Sequence, residues 1–353
     1  MSRSIIRPSL GAIVSLANAD PIPLDLGNSN IPGQIYRLAN DSRFSETYFS
    51  EPLTTYAVGY KDPNNLEAAL EFFSPTTRVP GRFFEFKKWN NAEEFYSEVD
   101  DVRAIGADFK RVEFTGQDQT AKTQNKGLTI RVDLDNVVQV PGWENRYVAK
   151  LIRRLLRNEL RRSIGILSAA AVNTAKTWNP TTNANADPDQ DVLAEESLAA
   201  DDQGFAFNRV GYGHSSWVLR SQALRSGANA AKFATAGMTA EQLAGWLAVD
   251  DVYVSKERYQ SSSTAKTQLV GNTVLMFTAM PGQDIEDPSN IKRFVSPPPN
   301  LQVGGKPYER PAGGLDINVY LQQISSKLVD ISVEHYSLIS LTSSLGIRSF
   351  TTS

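Results

Sequence analysis

The sequence contains no cysteine and only two histidines, His214 and His335, among its 353 residues. Without cysteine, disulfide frameworks, thiolate zinc sites, thiol nucleophiles and sulfur-held iron–sulfur clusters are excluded. Two histidines also argue against a histidine-rich metal site, so any acid–base chemistry would depend on carboxylates, lysine or tyrosine. No apolar run approaches the ~20 residues that span a bilayer. We therefore predict no membrane partner.

An excess of charge of either sign is also missing. The chain has 36 basic and 39 acidic side chains, a formal charge of −3, and 41% hydrophobic residues. This balance lacks the electrostatic footprint of a dedicated nucleic-acid binder. The length and apolar content suit one large or two ordinary globular domains with an ample core.

The first 75 residues are rich in turn formers, with prolines and glycines concentrated at positions 21–33. This composition predicts an extended arm that lies over other surfaces. Aliphatic and aromatic residues at 35–49 favour docking on a neighbouring subunit over disorder. A second interpretation stays open, because Arg3 and Arg7 precede an apolar stretch at 10–19 that loosely resembles a secretory signal.

Residues 82–138 alternate between apolar and polar side chains in two places. Phe84 to Lys87 and Leu128 to Leu134 follow this period of two, which predicts strands. The polar stretch from Gly116 to Gly127 lies between them and predicts an exposed tip. We expect a long two-stranded excursion that finds its partner on another subunit, because an isolated hairpin is marginal in water. An ordinary surface hairpin is the alternative.

A long amphipathic helix is the strongest local signal. Apolar residues recur at intervals of three and four from Trp143 to Leu167, which predicts a helix of about 30 residues and roughly 45 Å. Its other face is basic and carries Lys150, Arg153, Arg154, Arg157, Arg161 and Arg162. A solvated face or one that meets carboxylates is favoured over a nucleic-acid or membrane face, because no aromatic side chains are interleaved for base stacking.

The remaining chain alternates short helices and strands. We predict a helix at 191–200 capped by Asp189 or Asp191, a strand at 216–219, and strands at 251–255, 272–277, 317–320 and 327–334. Thr239 with Gln242 three residues later predicts a capping box, on a helix that buries Leu243, Trp246 and Leu247. Together these elements predict an α+β fold.

The sequence contains no complete catalytic motif. Residues 211–216 begin like a dinucleotide fingerprint, but serine stands in place of the third glycine and the stretch is expected to enter a strand and not a helix. His214 beside Ser215 lacks a Gly-x-Ser-x-Gly elbow, which favours a structural histidine. The acidic residues at 187–202 lack a glycine-centred ligand loop, which favours a solvated connector or a helix cap over a cation site. We therefore predict no catalytic, cofactor or metal-binding residues and a protein that is not an enzyme.

The order and spacing of these elements over residues 30–345 resemble the major capsid proteins of tailed bacteriophages, which have the Hong Kong 97-type fold. Three stretches carry the resemblance: 36–52 leading into the strand at 81–86, Glu144 to Lys150 opening the long helix, and the block from Trp217 to Tyr259. The resemblance implies an N-terminal arm at 1–75 and an extended loop at 76–138. It further implies a peripheral domain with a spine helix at 139–209 and 313–353, and an axial domain at 210–312.

The function implied by the resemblance is that of a structural shell subunit. It would self-assemble into pentamers and hexamers that form the icosahedral head around double-stranded DNA, contacting the DNA non-specifically and using no cofactor. Separate scaffolding and portal proteins are implied, with or without decoration proteins. The implied location is the virion, with assembly in the host cytoplasm. Two alternatives stay open: an encapsulin-type nanocompartment shell, and a secreted α+β binding protein.

Inter-subunit contacts are expected at two basic regions. Arg82, Lys87 and Lys88 flank the base of the extended loop and are expected to meet acidic groups of an adjacent subunit. From the long helix the candidates are Arg153, Arg157 and Arg161. Some family members seal the shell with a lysine–asparagine isopeptide bond, for which the resemblance offers Lys122, Lys126 and Asn125 near the predicted loop tip.

Overall fold

The computed structural model describes residues 48–88, 102–103, 108, 117–137, 140–226, 235–282, 287–298, 302–303, 306–307 and 314–353. The signal-like stretch and most of the predicted arm lie outside these residues. The helices with described bounds are α1 (Glu51–Val58), α2 (Leu66–Phe73), α3 (Trp143–Ala170), α4 (Pro188–Gln203), α5 (His214–Ser226) and α6 (Ala240–Leu247).

The strands fall mainly into two five-stranded sheets. The first contains β1 (Thr76–Arg78), β4 (Gln124–Asp133), β11 (Ile291–Ser296), β14 (Ile317–Gln323) and β15 (Leu328–Leu341). The second contains β5 (Val172–Lys176), β6 (Arg209–Gly213), β7 (Asp251–Ser255), β10 (Thr273–Phe277) and β16 (Arg348–Thr352). Three smaller pairs join β2 (Phe83–Lys88) to β3 (Gln117–Lys122), β8 (Arg258–Gln260) to β9 (Lys266–Gln268), and β12 (Gln302–Val303) to β13 (Lys306–Pro307). A 3₁₀ turn spans Leu134–Asn136.

Strand β15 organises the first sheet. Its first ten residues pair antiparallel with β4, while its other edge pairs with β14 and then with β11. The second sheet has the order β5-β16-β10-β6-β7, with parallel pairs at both ends. β11 comes from the range expected for the axial domain but lies in the sheet of β15, and the C-terminal β16 lies in the sheet of β6 and β7. The four-part domain division stays a prediction.

The long helix is confirmed. α3 has 28 residues and begins after Gly142, whose φ of 68° lies in the left-handed region that favours glycine. Its apolar stripe is buried against α2 and β15. Burial of this stripe, which includes Ile152, Leu160 and Leu167, seats the helix on the main hydrophobic core and leaves its basic face outward.

The predicted short helices and strands need three corrections. The predicted strand at 216–219 is wrong because these residues lie in α5; a short apolar run does not distinguish a strand from a helix. The helix predicted at 191–200 begins at Pro188 and is capped by Asp187. The capping box of Thr239 and Gln242 is confirmed, but Trp246, expected to be buried, is 45% exposed because it lies on the outer face of α6.

Residues 48–75 also differ from the expected extended arm. They form α1 and α2, and Leu66, Leu70 and Phe73 are buried in the same core as α3. Their apolar spacing of three and four is that of a core-facing helix, which the turn formers earlier in the chain obscured. This part of the predicted arm therefore belongs to the body of the protein.

The predicted extended loop is paired differently from expectation. β2 pairs with β3, whose residues were expected in the exposed tip, and β4 leaves the hairpin to pair with β15. A period of two identifies strands but not their partners, which explains the error. Gly127 is required for close packing, because a Cβ there would lie 2.6 Å from the Val333 carbonyl oxygen. It does not mark a turn.

Candidate interaction surfaces

The base of the extended loop is a two-stranded hairpin with one buried face. The rings of Phe84 and Phe86 lie 4.7 and 5.1 Å from the ring of Phe294 on β11. Val79 is the fourth buried member of this small cluster. Phe83 points the other way and is 69% exposed. The hairpin is thus anchored to the first sheet through one face while its other face is open.

The three predicted contact residues of the loop lie at this base. The Arg82 guanidinium lies 5.0 Å from the centre of the Tyr336 ring. Lys87 stands opposite Asp118 on β3, and Lys88 stands opposite Gln117. The structure therefore brings Arg82, Lys87 and Lys88 onto one short hairpin. Their role between subunits stays a prediction.

The basic face of α3 makes ion pairs within the chain. Arg153 donates to Asp62 at 2.6 Å, and Arg157 donates to Glu257 at 3.2 Å. Although burial opposes it, hydrogen bonds from Arg153 and from the Asn64 backbone hold the pKa of Asp62 below its usual value. The expectation that this face meets carboxylates of neighbouring elements is confirmed for these two arginines.

A groove of about 970 Å³ runs between α3 and the chain segment at 256–269. Six arginine and lysine side chains of α3 and three from the facing segment line this basic groove, against one carboxylate, that of Glu257. Arg161 lies over the ring of Tyr259 at 4.4 Å. Among the described residues, seven of the lining cations have no carboxylate partner: Arg146, Lys150, Arg154, Arg161, Lys256, Arg258 and Lys266.

A buried charge cluster lies on the opposite side of α3. Glu159 accepts hydrogen bonds from Lys126 on β4 and from Ser337 on β15, both at 2.8 Å, and from Arg162 at 2.9 Å. His335 Nε2 lies 3.8 Å from the same carboxylate. One fully buried carboxylate therefore joins the long helix to two strands of the first sheet. Sequence reasoning missed it, because Lys126 was taken as part of an exposed tip.

Burial and charge shift the pKa values of this cluster. Burial alone would raise the pKa of Glu159, but His335 and Lys126 outweigh it and hold the pKa well below the usual value. Burial lowers the pKa of His335 despite the adjacent carboxylate, with Lys126 and Arg293 acting in the same direction. Burial also lowers the pKa of Lys126. The cluster is consequently stable with Glu159 ionised and His335 neutral.

The residues considered for an isopeptide bond are not at a loop tip. Asn125 donates to Glu334 and to the Tyr336 hydroxyl, and Lys126 is held by Glu159. Lys122 lies on β3 over the ring of Phe83. The placement of Asn125 and Lys126 at an exposed tip was therefore wrong, because β4 continues through them and pairs with β15.

The rejected catalytic motifs have structural partners. Ser215 exchanges hydrogen bonds with Gln268. In the acidic stretch, Asp189 forms a buried pair with Arg220, and Asp191 accepts from Lys176 and Trp178. Across the described ranges no group of three or more histidine or acidic side chains is arranged to hold a metal ion. In the same part of the chain, no helix has the length and apolar character that crossing a membrane requires.

The fold is shared with a protein of known structure. Neither protein-family models nor curated protein sequences match this chain. A crystal structure of a phage-related protein from Bordetella bronchiseptica RB50 matches with a TM-score of 0.59 and 19% identity, covering 86% of this chain and 96% of that one. The chain has the fold of this phage-related protein. The α+β class expected from the sequence is confirmed, as is the resemblance to phage proteins at the level of the fold.

Two further solved structures match this chain with lower similarity. The capsid of cyanophage P-SCSP1u has a TM-score of 0.45 and 10% identity, covering 95% of this chain and 99% of that one. A virus-like particle from Pyrococcus furiosus has a TM-score of 0.44 and 13% identity, covering 86% and 99%.

Proposed function

We propose that this chain is the major structural subunit of a phage-type capsid. It self-assembles into pentamers and hexamers that close an icosahedral shell around the double-stranded DNA of a tailed phage. Its activity is structural and not enzymatic, and its place is the virion after assembly in the host cytoplasm. The observation that carries the proposal is the fold shared with the Bordetella phage-related protein over 96% of that chain.

The hairpin of β2 and β3 supports a role between subunits. Only one of its faces packs against the chain's own sheet, and Phe83 is exposed on the other. A neighbouring subunit that covers this face would bury apolar area without any change in the body of the protein. Many such contacts, each weak, multiply through avidity into a stable closed shell.

The partners in this proposal are chiefly copies of the chain itself. Separate scaffolding and portal proteins, with or without decoration proteins, complete the assembly, and the packaged DNA is contacted without sequence preference. Arg82, Lys87 and Lys88 are proposed to contact acidic groups of the adjacent subunit at the hairpin base.

Assembly of the purified full-length chain tests the proposal. Size-exclusion chromatography followed by negative-stain electron microscopy, over a range of salt and with co-expressed scaffold, is expected to show capsomers or closed shells. A persistent monomer of about 39 kDa under all these conditions would contradict the proposal. Shells that are purified from cells and enclose a cargo enzyme but no DNA would instead favour the nanocompartment alternative.

A further inference from the structure

The basic groove carries far more positive charge than the chain as a whole. The chain has a net charge of −3, yet the groove has nine cationic side chains and one carboxylate. Asp62 and Glu257 neutralise only Arg153 and Arg157. Like charges gathered in a groove repel one another and raise the local concentration of anions. An anionic partner would therefore be attracted here even though the chain's overall charge is slightly negative.

The cations on α3 form a row along the helix. Arg146, Lys150, Arg154 and Arg161 recur at intervals that keep them near one face. The 15 residue-to-residue steps from Arg146 to Arg161 span about 23 Å at ~1.5 Å each, which corresponds to about seven base pairs of duplex at ~3.4 Å each. Lys256, Arg258 and Lys266 face this row from the other wall. Both walls therefore present charge along one direction.

Two aromatic rings near the row already have a cation over one face. Arg161 covers Tyr259, and the Lys150 ammonium lies 4.9 Å from the centre of the Tyr147 ring. Single-stranded nucleic acids bind by stacking bases on open aromatic faces. A protein segment needs apolar pockets for its anchoring side chains, whereas long cationic side chains dominate this lining. A polyanion that is recognised only through its backbone fits both observations.

We propose that the basic groove between α3 and residues 256–269 binds the phosphate backbone of double-stranded DNA. Arg146, Lys150, Arg154, Lys256, Arg258 and Lys266 supply the contacts, independent of base sequence. This inference rests on the proposed function and deepens it, because it assigns the DNA-facing surface of the shell subunit to one groove. Sequence reasoning ranked such binding low, because acidic side chains elsewhere in the chain make the net charge slightly negative.

Salt-dependent binding of the unassembled full-length chain tests this inference. A fluorescein-labelled 30-base-pair duplex is titrated by anisotropy between 50 and 200 mM NaCl. With six phosphate contacts, the affinity of the unaltered chain is expected to fall about a thousand-fold over this range. The combined variant Arg154→Gln with Lys266→Gln is expected to reduce the slope of log K against log salt by about two.

A matched control removes two cations from outside the groove. Lys122→Gln with Arg225→Gln lowers the net charge equally, and is expected to leave the slope within error of the unaltered chain. Equal slopes for the two double variants, or no duplex binding at 50 mM salt, would overturn the inference. Selective displacement of the duplex by an acidic peptide of residues 93–101 at low concentration would also overturn it, because it would identify a second copy's acidic segment as the occupant.

Assembly of the same proteins is scored separately by electron microscopy, under the conditions that test the proposed function. If shells form but the groove variant and the control variant have equal salt slopes, the result would contradict this inference alone. A chain that forms no shells would contradict the proposed function, whatever its affinity for DNA. The circular dichroism spectra of both double variants are expected to match that of the unaltered chain, because all four positions lie outside the hydrophobic cores.

Discussion

The hairpin of β2 and β3 and the long helix α3 are both extended elements, but they are stabilised very differently. α3 buries an apolar stripe on the main core and is joined to two strands through Glu159. The hairpin contributes Phe84 and Phe86 to a cluster of four buried side chains on one face and has an exposed phenylalanine on the other. The helix is thus stable within its own chain, whereas the hairpin has a free face that a neighbour can cover.

Charge follows the same division. At Glu159, Lys126 and Arg162 both contact the buried carboxylate. In the basic groove seven cations have no carboxylate partner among the described residues. A buried charge without a partner destabilises the fold, while an exposed one leaves the fold intact and is available to bind. The predictions below test this contrast, ordered by their expected effect on the free energy of unfolding of the isolated chain.

The largest effect is expected from Glu159→Ala. Removal of this carboxylate leaves the buried Lys126 ammonium uncompensated, and breaking a buried pair in this way costs about 3–5 kcal/mol. Urea denaturation followed by tryptophan fluorescence measures the loss. Glu85→Ala, an exposed glutamate on the hairpin, is the control and is expected to change the free energy of unfolding by no more than about 0.5 kcal/mol. Equal losses for the two variants would contradict the contrast between helix and hairpin.

The second effect concerns the anchor of the hairpin. Phe84→Ala removes a buried ring from the small cluster and is expected to cost about 1.5–3 kcal/mol locally. Because the hairpin can open while the body stays folded, amide exchange at residues 83–88 and 117–122 should accelerate about ten- to a hundred-fold. Exchange in α3 should not change.

The neighbouring Phe83→Ala provides the matched control. Its ring is exposed, so exchange of the hairpin amides in the isolated chain should change little. If a neighbour covers this face in assembled particles, Phe83→Ala should have the larger effect of the two variants and should reduce particle yield. Unchanged yield from Phe83→Ala would show that the exposed face is not covered in the shell.

The third effect is a pH dependence that belongs to the body and not to the hairpin. The pKa of His335 is lowered in the fold, so the unfolded chain binds more protons below a pH of about 6.5. The stability that the neutral histidine contributes is present above this pH and is lost as the pH falls toward the folded pKa. Between pH 7 and 5.5 the loss should reach at most about 1.3 kcal/mol.

Urea midpoints across this pH range measure the effect. His335→Gln, which keeps a polar side chain near Ser337 and Glu159, is expected to flatten the curve between pH 7 and 5.5. The low pKa of Glu159 adds a further loss only below a pH of about 4.5, in the same direction. A variant that keeps the full slope would show that other groups cause it.

Sequence patterns predicted the long helix, the capping box and six of the sixteen described strands, because each of these depends on neighbours in sequence. The apolar stripe of α3 and the Thr239–Gln242 pair are signals of this local kind. The pairing of β4 with β15 and the ion pair of Lys126 with Glu159 join residues far apart in the chain. The periodicity of a sequence does not identify partners that are distant along the chain. The polar first part of β4 was therefore predicted to be an exposed loop.

The basic groove was predictable in part for the same reason. The basic face of α3 is visible in the sequence because its residues lie in one helix. Lys256, Arg258 and Lys266 are distant in sequence and lie beside that face only in the folded chain. Asp62 and Glu257, which neutralise two of the arginines, are also distant in sequence. The candidates Arg153, Arg157 and Arg161 therefore include two residues that the chain already pairs, while the unpaired Arg154 was not among them.

The smallest effect on the isolated chain, and the most direct test of the hairpin as an assembly element, is expected from Lys87→Glu combined with Lys88→Glu. Glutamate at 87 would stand opposite Asp118, and like charges directly across a strand pair cost about 0.2–1 kcal/mol. The chain should remain folded and soluble while the yield of closed particles falls strongly.

The neutral pair Lys87→Gln with Lys88→Gln separates charge from hairpin stability. It avoids the repulsion with Asp118, so its urea midpoint should lie above that of the charge-reversed variant. A loss of particles as large as in the charge-reversed variant then reflects missing contacts with acidic groups of a neighbour. Normal shells from the charge-reversed variant would refute those contacts. In that case the exposed face of the hairpin would have to act through Phe83, and charge at its base would have no part in joining subunits.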